Sequence, residues 1–234
     1  MGSSSSIEFY PNPGLEARLL FVLLHGVGGC PDNLEKLGLA LRVAFPSSVV
    51  MIPEGFEVFD GGGTGRQWFS TRGVSEENRP ERVAQALPAL NDYVRAAQRR
   101  LKLKAADTAL GGFSQGAIMA LEAVQADERL AGRVLAFSGR YAALPDAAPR
   151  YTTIHLLHGA DDVVMPVTHA QAAQHRLAQL QGDATIDVAS RVGHELHPAL
   201  VQRAIVRLQT CVPLRSWEAA MGHDQAPPPD ATVH

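Results

Sequence analysis

Of all the segments in this chain, the one from Thr108 to Leu121 leaves the fold least freedom. An apolar run, Thr108-Ala109-Leu110, passes through Gly111-Gly112-Phe113-Ser114-Gln115-Gly116 into the helix-forming run Ala117-Ile118-Met119-Ala120-Leu121. Its centre is G-x-S-x-G, the pattern of a strand that turns sharply into a helix with a serine at the strained corner. Glycine at 112 and 116 leaves that corner room, because a side chain two residues to either side would collide with the neighbouring strand or helix. The turn points the Ser114 hydroxyl outward and sets the Gln115 N–H at the first turn of the helix, where it can face a developing anion. Three fixed letters arise easily by chance in a chain with 21 glycines. The pattern therefore gains meaning only from a strand before it, a helix after it, and an Asp and then a His further along.

The rest of the chain supplies that setting. Leu19-Leu20-Phe21-Val22-Leu23-Leu24 is an unbroken apolar run and reads as a buried parallel strand, entering the glycine-dense loop His25-Gly26-Val27-Gly28-Gly29. Pro31-Asp32-Asn33 opens a helix to about Val43, and Ser48 to Ile52 is the next strand. A long aperiodic loop from Pro53 to Asn78 holds a run of glycines and the pair Trp68-Phe69; loops of that length in compact domains are usually functional. Val83, Leu87, Leu90, Val94, Ala97 and Leu101 share one helical face, with Pro88 as an expected kink. Further strands are expected at Arg133–Phe137, Thr153–Leu157 and Ala184–Ala189, the last alternating like an edge strand. Helices follow at Thr168–Gln181, closed by Gly182, and from Pro198 to Leu208.

This alternation predicts an α/β fold, a mainly parallel sheet with helices on both faces and ligands outside the C-terminal ends of the strands. One domain is expected over residues 18–212, after an N-terminal segment 1–17 and before a Pro-rich tail 213–234; Met1 to Ser6, native or a cloning remnant, is set aside. The net charge of -3 gives no basic footprint, so no nucleic-acid partner is expected. Cys30 and Cys211 are too few for a disulfide framework. Without a membrane span or a signal-peptide pattern, a cytoplasmic protein is expected. Monomer and homodimer both stay open.

In a parallel sheet the loops after Leu24, Leu110, Phe137, Leu157 and Ala189 emerge on one edge. Behind Leu157 lies His158-Gly159-Ala160-Asp161-Asp162, and behind Ala189 lies Gly193-His194-Glu195-Leu196-His197. A serine hydroxyl is a weak nucleophile until an imidazole takes its proton, and that imidazole needs a carboxylate to fix its tautomer. Ser114, His194 and Asp162 fill those roles in the required order, with Asp161 the rival acid and His197 the rival base or a cap for the last helix. Val27 is expected to supply the second oxyanion N–H beside that of Gln115. A metal site is not expected, since His194 and His197 are three apart on a loop rather than four apart on a helix. His25, His155 and His158 read as structural.

These segments, in this order, resemble the small bacterial carboxylesterase/phospholipase family of serine α/β-hydrolases, which includes acyl-protein thioesterases. The likeness rests on Leu24-His25-Gly26-Val27-Gly28, on G-F-S-Q-G-A from Gly112 to Ala117, on His158-Gly159 with Asp162 and Pro166, and on Gly193-His194. The family spacing selects Asp162 over Asp161. The resemblance implies a lidless, cofactor-free esterase acting on a small-molecule acyl ester or thioester of short chain. It also puts Trp68 and Phe69 in the acyl pocket. Met165, Leu196 and Tyr141 are weaker pocket candidates read from the sequence. The departure is Val163, where proline is usual. Two rival functions carry the same residues: an acyl thioesterase or lysophospholipase, and a hydrolase fold that only binds a ligand.

Overall fold

The computed structural model describes residues 6–211, so the whole of the expected Pro-rich tail, 213–234, and the first five residues lie outside the description. Strand β1 (Ile7–Phe9) precedes β2 (Leu19–Leu24), α1 (Glu35–Ala44) and β3 (Ser48–Ile52). Then come the short strands β4 (Glu57–Val58) and β5 (Arg66–Gln67), the long helix α2 (Arg79–Leu101), β6 (Thr108–Phe113) and α3 (Gln115–Ala126). The chain continues through β7 (Arg133–Phe137), β8 (Thr153–Gly159), α4 (Thr168–Gln179), β9 (Ala184–Ala189) and α5 (Pro198–Thr210). Seven strands form one sheet in the order β1-β3-β2-β6-β7-β8-β9. Only β1 runs antiparallel, with Ile7 opposite Ile52. The other pairings are parallel, and β6 lies between β2 and β7 with Leu24 level with Gly112 and Phe137 level with Phe113.

Alternation along β2 divides the core. Leu20, Val22 and Leu24 join the layer that includes Val83, Leu87, Leu90 and Val94 of α2, most of α3, and Ala170, Ala173 and Leu177 of α4. Phe21 and Leu23 join Leu37 and Leu41 of α1 and Leu200, Ala204 and Ile205 of α5 on the other face. Period two in the strands and period 3.6 in the helices thus bury both faces of the sheet. Among the described residues no helix is long and apolar enough to cross a membrane.

Several local expectations are corrected. The loop from Pro53 to Asn78 contains the β4–β5 hairpin, in which Val58 faces Arg66 across the pair. The helix expected from Pro31 begins as a 3-10 turn, Pro31–Leu34, before α1. Helix α2 runs unbroken through Pro88. At the end of α4 the left-handed residue is Gln181, with φ 55°; Gly182 follows it and donates its N–H to the Leu177 carbonyl at 2.8 Å. That is the six-to-one bond of a Schellman end, in which the left-handed position lies one residue earlier. Glycine at 182 answers a steric need, since a Cβ there would lie 2.7 Å from the Ala148 methyl.

One buried group gives the fold a pH dependence. His155, in β8, is fully buried, with Nδ1 2.8 Å from Thr185 Oγ1 and Nε2 without a partner. Burial, helped by Arg133 and Arg207, pushes its pKa down to about 4. The unfolded chain binds a proton that the folded chain refuses, so stability falls as pH drops from the ordinary histidine value toward that figure. The expected loss between pH ~6.5 and ~4.5 is of the order of 2 kcal/mol. Urea unfolding of the protein and of His155→Gln across that range checks this, and an equally steep decline in the variant contradicts it.

Candidate active site

Ser114 stands between β6 and α3 with φ 55° and ψ -115°, a conformation that costs a non-glycine residue energy. Its N–H donates to the Phe137 carbonyl at 3.0 Å, which ties the corner to β7. The flanking glycines are required sterically: a Cβ on Gly112 would overlap the Gly116 backbone, and one on Gly116 would overlap the Leu24 carbonyl. The serine is nearly buried, with 8% of its surface exposed.

The loops after β8 and β9 bring the two expected partners to it. His194 Nε2 lies 3.0 Å from Ser114 Oγ, and His194 Nδ1 lies 2.7 Å from Asp162 Oδ2. A carboxylate on Nδ1 makes that nitrogen the donor and leaves Nε2 to accept from the serine hydroxyl. The other carboxylate oxygen of Asp162 accepts the Val164 and Met165 N–H groups at 3.0 and 2.7 Å. Burial alone would raise the Asp162 pKa, but hydrogen bonds from Met165, His194 and Val164 together hold it below the ordinary carboxylate value. Asp161 is exposed; its backbone N–H donates to Val192 O at 2.9 Å and steadies the loop that carries His194. His197 caps α5, with Nδ1 accepting the Ala199 N–H at 3.2 Å.

On the opposite side of the corner lies the loop after β2. An ideal Cβ at Gly26 would sit 3.5 Å from Ser114 Cβ, so this loop rests directly on the serine. Its shape is held by a zipper to β5, with Gly28 N–H on Arg66 O at 2.8 Å and Arg66 N–H on Gly29 O at 2.9 Å. Gln115 opens α3, where the helix leaves its first N–H groups without internal acceptors. Among the described residues no backbone or side-chain acceptor takes the N–H of Val27 or of Gln115.

The expected pocket residues divide. Trp68 and Phe69 are core residues, 1% and 4% exposed, and the Trp68 ring lies against His25 at the end of β2. Met165 is half-buried against the same core layer, and its backbone binds Asp162 through N–H and His158 Nε2 through the carbonyl at 2.6 Å. Tyr141 is buried with its hydroxyl unpartnered, and burial raises its pKa. Leu196 lies on the other side of the sheet, against the groove between α1 and α5.

Four contacts had no sequence signal. The His194 imidazole rests against the Phe113 ring, centroids 4.8 Å apart. The Gln115 side chain accepts from Trp68 N–H at 2.9 Å and donates to Phe69 O at 2.8 Å. His158, kept neutral by burial, has Nε2 3.4 Å from Asp162 Oδ2.

A family model described as phospholipase/carboxylesterase matches residues 7–212. The chain is 41% identical over 210 residues to esterase YpfH of Escherichia coli strain K12, covering 90% of each protein. It superposes on the crystal structure of esterase PE8 with a TM-score of 0.80 at 28% identity, over 90% of this chain and 100% of that one. Likeness in fold alone extends to the Bacillus cereus carboxylesterase, with a TM-score of 0.71 at 17% identity over 89% of this chain and 95% of that one. The same holds for acyl-protein thioesterase 2 of Zea mays, with a TM-score of 0.68 at 20% identity over 88% and 98%. With nearly its whole described length matched, the chain belongs to the phospholipase/carboxylesterase family of α/β-hydrolases.

Proposed function

We propose that this protein is a serine carboxylesterase that hydrolyses short-chain acyl esters through an acyl-enzyme on Ser114. The observation that carries the reading is the chain of contacts from Ser114 Oγ to His194 Nε2 at 3.0 Å and from His194 Nδ1 to Asp162 Oδ2 at 2.7 Å. Similarity to a protein named as an esterase supports the bond type.

In this mechanism His194 takes the Ser114 proton as the oxygen attacks the acyl carbon, and the N–H groups of Val27 and Gln115 receive the resulting oxyanion. The imidazolium, steadied by Asp162, returns its proton to the departing alcohol. Water then repeats the sequence: His194 removes its proton, its oxygen attacks the acyl carbon, and Ser114 leaves with the proton as the carboxylic acid is released. No metal or cofactor enters any step. Of the residues expected to touch the acyl group, Met165 and Leu196 are not fully buried, and Leu196 packs on the other face of the sheet.

A graded series of para-nitrophenyl esters, acetate to palmitate, tests the reading, with the shortest esters expected to turn over fastest. Hydrolysis of acyl thioesters with no ester turnover would replace it by a thioesterase. Hydrogen bonds from Met165, His194 and Val164 hold the Asp162 carboxyl below the ordinary carboxylate value against the effect of its burial. A general base must be unprotonated to take the Ser114 proton, so activity is expected to rise with pH along the acid limb. A flat limb counts against His194 as base. His197→Ala is expected to keep activity within about twofold while costing about 1 kcal/mol of stability through the lost cap; a collapse in kcat would make it the base instead.

A further inference from the structure

We propose that Trp68 is a positioning residue that holds the two halves of the oxyanion site at a fixed separation. The inference rests on the reading of Ser114, Val27 and Gln115 given above. The two N–H groups come from different segments, one beyond the end of β2 and one at the start of α3. Registered pairing between β2 and β6 stops at Leu24 and Gly112, so the sheet itself does not fix the distance between them.

Trp68 spans that gap with two hydrogen bonds. Its backbone N–H donates to Gln115 Oε1 at 2.9 Å, and its indole Nε1–H donates to the His25 carbonyl at 2.8 Å. The Gln115 side chain is itself fixed, because its amide nitrogen donates to Phe69 O at 2.8 Å. With Trp68 1% exposed, water is excluded as a substitute for either bond.

From His25 the constraint passes to the peptide that matters. His25 Nε2 accepts the Gly55 N–H at 2.9 Å, which makes Nδ1 the protonated nitrogen, and Nδ1 donates to the Gly26 carbonyl at 2.7 Å. That carbonyl and the Val27 N–H belong to one planar trans peptide, so holding the oxygen sets the direction of the N–H. Burial lowers the His25 pKa and keeps this tautomer neutral. The Trp68 ring lies 5.3 Å from the His25 imidazole and supports it from below. His25 is thus more than a satisfied structural histidine, and Trp68 is a strut rather than a wall of the acyl pocket.

The test replaces Trp68 with 3-benzothienylalanine, which exchanges the indole N–H for sulfur at nearly the same shape, and in parallel with phenylalanine. The readouts are kcat and KM on para-nitrophenyl acetate, melting temperature, and affinity for a trifluoromethyl ketone, whose serine adduct carries an oxyanion. Removing an oxyanion donor outright costs about 10²- to 10³-fold, so a misdirected one is expected to cost kcat ~10- to 100-fold. KM is expected to stay within about twofold and ketone affinity to fall in step with kcat/KM, since the lost interaction is made only to the oxyanion. Unchanged kcat in the benzothienyl variant overturns the proposal, as does a rise in KM at constant kcat, which would place Trp68 against the substrate. If the phenylalanine variant fails to fold, the benzothienyl variant decides. A wild-type protein that neither binds the ketone nor is titrated by a fluorophosphonate would instead remove the serine reading beneath the proposal.

Discussion

Ser114→Ala is expected to lower kcat for ester hydrolysis by about 10⁵- to 10⁶-fold, leaving only what the oxyanion donors and binding supply. The reason is specific to the corner. No other hydroxyl is in contact with His194 Nε2 among the described residues, and the alanine methyl offers nothing to attack the acyl carbon. The fold is expected to survive, because the strain at φ 55° is the same for alanine as for serine. Ser114→Gly is expected to melt higher than the wild type, since removing Cβ relieves about 1 kcal/mol of backbone strain net of glycine's extra entropy. A stabilised, inactive glycine variant is the signature of a residue held in its conformation for chemistry. A glycine variant less stable than the alanine one contradicts it.

Asp162→Asn is expected to lower kcat about 10⁴-fold with the fold intact. The hydrogen bonds dictate why. Val164 and Met165 both present N–H groups to one oxygen of residue 162, so the asparagine carbonyl oxygen turns toward them. Its NH2 then faces His194 Nδ1, which must accept. The imidazole proton moves to Nε2, and the ring can no longer take the proton of Ser114. Asp161→Asn makes the control: its carboxylate is exposed, and activity is expected to remain within about twofold. If Asp161→Asn is the inactive variant, the acid has been assigned to the wrong neighbour.

The sequence made some of this legible and hid the rest for a physical reason. The strand, corner and helix around Ser114 depend on residues adjacent in the chain, so Gly112, Ser114 and Gly116 could be read directly. The meeting of the candidate residues on one edge of the sheet followed from alternation, because parallel strands joined by helices place successive loops on the same side. Asp161 and Asp162 were separable only by family spacing; the structure distinguishes them by burial and by their different hydrogen bonds. Trp68 shows the limit. Its partners His25 and Gln115 lie 43 and 47 residues away, and the acceptor on His25 is a backbone carbonyl that every residue type possesses. Leu196 was misplaced for a related reason: a loop residue between β9 and α5 can turn toward either face, and packing against α5 decided it.

The proposed mechanism requires a covalent intermediate at one oxygen. Acid quenching during turnover of para-nitrophenyl acetate, followed by mass spectrometry of the protein and its peptides, measures this directly. The expected result is a single acetyl group on the peptide containing Ser114, absent from Ser114→Ala and accumulating in proportion to the burst of nitrophenol. Steady turnover with no acetyl on Ser114, or with an equal adduct in the alanine variant, would contradict it.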